Sequence, residues 1–147
     1  MVTEHKYITA AKAEISRQAA MAYTSDGQSM YDFIRVTSRD EGALTAYLDD
    51  ASSALAARFK GRAKWDPEVG EITFDLPGSA MIDNGAMGKS LQDAVSAYMV
   101  SYICAEWFKR KHVAKYEEYA SKAQTAMERV VILAKTRKEP SKGGITR

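Results

Sequence analysis

Apolar side chains recur at helical intervals along most of this chain, and the interval changes over one short stretch. Ile8, Ala11, Ile15, Ala19 and Ala22 fall close to a period of about 3.6 residues, with Lys12, Glu14, Arg17 and Gln18 largely off that face. This predicts a first helix over about Thr9–Tyr23, ended by the turn-forming run Thr24–Ser29. Met30, Phe33, Ile34 and Val36 then form a short apolar patch whose state the pattern leaves open between a helical turn and irregular chain.

A second predicted helix carries Leu44, Tyr47, Leu48, Ala51, Leu55 and Phe59 on one face. Ser38 followed three residues later by Glu41 reads as its capping box, and Gly61 as its stop. The alanine-rich run from Ala51 to Ala57 would let a neighbouring helix come close.

Over residues 62–77 the period drops to two. Ala63 and Trp65 alternate with polar neighbours, as do Ile72, Phe74 and Leu76, and Asp66-Pro67-Glu68-Val69-Gly70 lies between the two runs. The expectation is a β-hairpin with a Pro/Gly turn, closed by Pro77-Gly78. A lone hairpin is marginal in water, so it must lie on the helices or pair with another chain. Residues 78–88 read as a loop with glycines at 78, 85 and 88, offering Met81, Ile82 and Met87 for contact.

The strongest helical series follows over about Ser90–Lys111: Leu91, Ala94, Val95, Tyr98, Met99, Tyr102, Ile103 and Trp107 mark it as the core helix. A fourth predicted helix, about Val113–Lys138, carries Tyr116, Ala120, Ala123, Met127, Val130, Val131 and Ala134. Lys109–His112 reads as the corner between them, the alternative being one continuous helix. The fold class expected is mainly α, a bundle of about four helices with one β-hairpin. Residues 1–138 form a single domain, and 139–147 a flexible basic tail.

Composition narrows the function classes. An apolar fraction of 46% with 27% charged residues is that of an ordinary soluble globule. Cys104 is the sole cysteine, which excludes an internal disulfide and suits a reducing compartment; it reads as a small buried side chain. No apolar run approaches the roughly 20 residues of a membrane span. Met1–Tyr7 lacks the apolar stretch of a signal peptide, so cytosolic assembly and no membrane partner are expected. Net charge is +2, but residues 105–147 hold eleven Lys/Arg against five Asp/Glu, and residues 1–104 ten against fourteen. An acidic body with a basic end suits head-to-tail contact with itself or a partner, or a place near nucleic acid. Charge alone does not choose among these.

No constellation spells out catalysis, and none is expected to hold a metal or cofactor. His5 and His112 lie far apart without other ligand types at metal-site spacing. Asp49-Asp50 and Glu117-Glu118 are adjacent helical pairs that diverge by about 100° and read as solvated faces. Gly85-Ala86-Met87-Gly88-Lys89-Ser90 ends like a phosphate-binding loop, but its first glycine stands too close to the second. Tyr98, Tyr102, Trp107, Tyr116 and Tyr119 amid Lys109, Arg110, Lys111 and Lys115 read mostly as core aromatics rather than a nucleic-acid platform. Contact with phosphate or an acidic protein is expected first from Lys135, Arg137, Lys138, Lys142 and Arg147.

One order of features goes further. The strand Ile72-Thr73-Phe74-Asp75-Leu76-Pro77 precedes a loop and a long helix with Tyr98 and Glu106-Trp107-Phe108. A second helix follows with Tyr116, Tyr119, Ala120 and Ala123, ending in Arg137-Lys138-Glu139-Pro140. Over residues 70–140 this resembles small virion proteins of Bacteroides-type phages and prophages, which serve as head–tail connector or neck-ring subunits beside the portal. The resemblance implies a non-enzymatic homo-oligomer: a cyclic ring, usually twelve-fold, located in the virion and assembled in the host cytoplasm. Its neighbours would be the portal or another neck or tail protein, with DNA at most passing through the channel and no sequence-specific nucleic-acid binding. Contacts would come from the hairpin (Trp65, Ile72, Phe74), the loop (Met81, Ile82, Met87) and the basic tail. Two rival expectations are a bacterial helical adaptor or regulatory protein acting as monomer or dimer, and an enzyme whose site is assembled from scattered residues.

Overall fold

His5 starts the first helix: its Nδ1 accepts a hydrogen bond from the Tyr7 backbone N–H at 3.0 Å and caps α1, Lys6–Ala20. The computed structural model describes residues 5–60, 62–66, 71–74 and 86–136. The helix begins ahead of the expected Thr9 because histidine supplies the cap, a role that pattern reading assigns to Ser, Thr, Asp or Asn. Ile8, Ala11, Ile15 and Ala19 are all buried, as their spacing predicts.

The apolar patch after the first turn segment contains one helical turn, α2, Tyr31–Ile34, with Ile34 fully buried. A short 3-10 turn, Ser38–Asp40, leads into α3, Glu41–Arg58. The capping box lies one residue ahead of the expected Ser38–Glu41 pair. Thr37 N–H donates to Asp40 Oδ2 at 2.7 Å, and the Thr37 hydroxyl oxygen accepts from the backbone. The physical reason is that the Glu41 carboxylate is engaged by Lys12 of α1. At the other end of α3, Lys60 takes a left-handed φ of 53°; Gly61, the expected stop, lies outside the described residues. A non-glycine residue there costs about 1–2 kcal/mol.

Strands β1, Ala63–Asp66, and β2, Glu71–Phe74, form the expected antiparallel hairpin, with Ala63 opposite Phe74 and Trp65 opposite Ile72. It lies against α3: Ala63 is buried and the Phe74 ring meets Phe59 edge-on at 5.1 Å.

Helix α4, Ala86–Phe108, begins four residues before the expected Ser90, so 86–88 are helical rather than loop. Gly88 does not break it; an isolated helical glycine costs only about 1 kcal/mol. Helix α4 is central, packing on α1, α3 and α5. Met99, Ile103, Cys104 and Phe108 are fully buried. The turn at 109–112 separates it from α5, Val113–Thr136, which rules out the continuous helix. Backbone N–H groups of Lys111 and His112 both donate to the Phe108 carbonyl at 2.9 Å, closing α4. His112 then caps α5, its Nδ1 accepting from Lys115 N–H at 3.4 Å. Stacked Phe108 and Tyr119 rings, 5.6 Å apart, fold α5 back along α4. The result is a mainly α bundle with one short strand pair.

Candidate functional site

The contacts between elements give the bundle two unlike ends. Gln18 meets Lys115, and α2 meets the end of α4, so the first end gathers the α4–α5 corner with residues 21–37. Phe59 and Phe74 lie at the other, because α3 runs antiparallel to α4: Glu41 lies beside Lys12, near where Cys104 reaches the Ala11 carbonyl, and Ala51 lies opposite Tyr98.

At the corner end, local chain chemistry holds aromatic side chains outward. Thr24 N–H donates to Gln28 at 2.8 Å, and Gly27 takes φ 89°, which favours glycine. Tyr23 bridges to Ser29, and Met30 N–H returns to the Ala22 carbonyl. This tight loop leads into α2, which Trp107 fastens through its indole N–H to the Ile34 carbonyl, 2.7 Å away. Lys111 lies over the rings of both Phe33 and Trp107, 4.9 and 4.8 Å from their centroids, and its ammonium donates to the Phe33 carbonyl. With Ile34 buried beneath, Tyr23 and Phe33 stay 58% and 54% exposed, and Met21 and Tyr31 are exposed with them. Exposed Lys109 and Arg110 border the segment. Pattern reading did not select this surface, because it carried the first helix on through Tyr23, whereas α1 ends at Ala20, and left the state of the patch with Phe33 open.

At the hairpin end, the ladder is two strands wide, so each strand keeps one edge without a strand partner among the described residues. Ile72 and Phe74 are half-buried against the core, so part of each side chain docks the hairpin and part stays open. Trp65 stands in the ladder opposite Ile72. Met87 lies in the first turn of α4 and Lys135 in the last turn of α5. Met81, Ile82, Arg137, Lys138, Lys142 and Arg147 lie outside the described residues.

The titratable groups inside the bundle join helices. Glu14 on α1 accepts from Arg17 at 2.6 Å and from the Tyr119 hydroxyl on α5. The Arg17 hydrogen bond is the main reason its carboxyl lies below the ordinary carboxylate value, with burial opposing and Tyr119 adding. Lys115 donates to buried Gln18 at 2.5 Å. Tyr98 donates to the Ala51 carbonyl at 2.9 Å, linking α4 to α3, and burial pushes its hydroxyl well above the usual range. Cys104 is buried, and burial raises its thiol to about 12, which suppresses the thiolate needed for nucleophilic work. Among the described residues no group of three or more His, Cys, Asp or Glu could hold a metal ion, and no helix is long and apolar enough to cross a membrane.

A groove of about 480 Å³ lies between α4 and α5, with Ala97, Ser101, Ala126 and Arg129 among its lining. Comparison with protein-family models, with curated proteins and with solved structures finds no match to this chain.

Proposed function

We propose that the chain is a non-enzymatic assembly subunit, a head–tail connector or neck-ring protein of a phage virion that forms a cyclic homo-oligomer next to the portal. The observation that carries this reading is the pair of chemically unlike ends. One presents exposed aromatics beside Lys109 and Arg110, and the other an open-edged hairpin. A subunit in a stack of rings needs different surfaces toward its two neighbours, whereas a two-fold dimer uses one patch twice. Strand edges suit pairing across subunits through main-chain hydrogen bonds. The cations Lys135, Arg137, Lys138, Lys142 and Arg147 make the chain's last stretch basic, fitting docking on the portal or the next ring. DNA would pass through the channel without sequence readout.

Negative-stain imaging of the purified chain mixed with the portal protein tests this. Closed rings seated on the portal are expected. A monomer or dimer that never joins the portal favours an adaptor or regulatory protein instead.

A further inference from the structure

We infer that neighbouring copies meet flank to flank, the outer face of α3 on one copy seated in the α4–α5 groove of the next. This rests on the homo-oligomer reading above and names the surfaces that make the ring.

The groove has the shape and chemistry of an incomplete contact. Ala97 and Ala126 leave its floor shallow enough for a helix backbone to approach, and interhelical distance follows the size of the side chains between. Ser101 lines it while only 9% exposed, yet its hydroxyl makes no hydrogen bond among the described residues. A hydroxyl held there without a protein partner favours a polar group entering the groove. On the rim, Arg129 is exposed and makes no ion pair or hydrogen bond among the described residues. Neighbouring Lys122, by contrast, is engaged by Glu118 at 3.1 Å.

The outer face of α3 complements it in both respects. Gly42, Ala46, Asp49, Ser53 and Ala57 are exposed and recur every three or four residues, a smooth stripe along the helix. Gly42 has nothing within 4 Å of where a side chain would begin and no left-handed φ, so nothing within this chain calls for glycine there. That open turn leaves room for a partner backbone to come close. Asp49 and Asp50 are exposed and make no ion pair or hydrogen bond among the described residues, and they carry the sign opposite to Arg129.

The two surfaces belong to different flanks. Helix α4 meets α3 through Tyr98 and Ala51, and meets α5 through Phe108 and Tyr119. A contact between them is therefore heterologous: each copy offers its α3 face to one neighbour and its groove to another, the geometry from which rings are built.

The test is a charge swap on the full chain, read by mass photometry with circular dichroism as the check on fold. Arg129→Glu alone, and Asp49→Arg with Asp50→Arg, should each raise the concentration needed for assembly by about tenfold or more, since like charges then face each other. Combining the reversals in one chain should restore assembly. A second readout uses the inert, buried Cys104: Ser53→Cys with Ser121→Cys should oxidise into a covalent ladder of oligomers. Assembly that is indifferent to both reversals, with no ladder, overturns this contact and leaves the oligomer reading standing. A parent chain that stays monomeric at every concentration overturns both.

Discussion

The indole N–H of Trp107 and the backbone carbonyl of Ile34 lie 2.7 Å apart, and this bond ties the end of α4 to the end of α2. Both residues are buried, so no water replaces a lost donor readily. Trp107→Phe keeps most of the ring but leaves the carbonyl unpaired, and is expected to cost about 1–3 kcal/mol in urea unfolding. Hydrogen exchange should quicken over 22–35 before it does in α5. A loss below about 0.3 kcal/mol would show that the bond does not hold the exposed aromatic segment in place.

Alkaline pH should loosen the bundle in a defined order. Burial raises the Cys104 thiol from 9.0 to about 12, and raises the Tyr98 and Tyr119 hydroxyls above their ordinary value of 10.0. Each is neutral in the fold at a pH where the unfolded chain has already released its proton. The stability they contribute is therefore complete below pH 9 and declines as pH rises from 9 toward 12. Thermal unfolding followed across that range should show a falling Tm, and Cys104→Ala should flatten the first part of the fall. A thiol reagent should leave native Cys104 unmodified at neutral pH; prompt modification would mean the helix α1–α4 seam opens.

Acid acts through Glu14. Its carboxyl lies below the ordinary 4.5, chiefly through the Arg17 hydrogen bond. A depressed carboxyl contributes stability that is present above 4.5 and lost as pH falls through the lower folded value. Glu14→Gln should remove that dependence on pH below 4.5 and weaken the link to Tyr119, whereas an unchanged acid profile would assign the effect elsewhere.

Among the described residues, the hairpin meets α3 through buried Ala63 and through the Phe74 ring, edge-on to Phe59 at 79°. Phe74→Ala should cost about 1–2 kcal/mol, since the half-buried ring contributes both area and edge-on geometry. Exchange across the Ala63–Phe74 ladder should accelerate while α4 and α5 stay protected. Equal acceleration in all elements would mean that the hairpin and bundle unfold as one unit.

The helical stripe of α4 and the corner at 109–112 were legible because dense apolar spacing and a charged break leave few alternatives. The strand pair was legible from the alternation at Ala63, Trp65, Ile72 and Phe74, whereas its register was not predicted. What escaped pattern reading depended on tertiary partners. Glu41 looked like a capping side chain until Lys12 on another helix claimed it. Tyr119 and Ala126 are among the most buried residues of α5 yet were left off its predicted face. Tyr119 sits there because Phe108 stacks on it and Glu14 takes its hydroxyl, neither visible from local spacing. The exposed segment 21–33 and the α4–α5 groove exist only once the turn at 24–28 and the corner are folded.

The claim that the chain builds a closed homo-oligomer is tested most directly by mass photometry of the purified protein over a concentration series. A discrete species at a fixed multiple of the 16.2 kDa chain, unchanged in size as concentration rises, is the predicted result. A population that remains monomeric or dimeric throughout, with or without the portal protein, would contradict it.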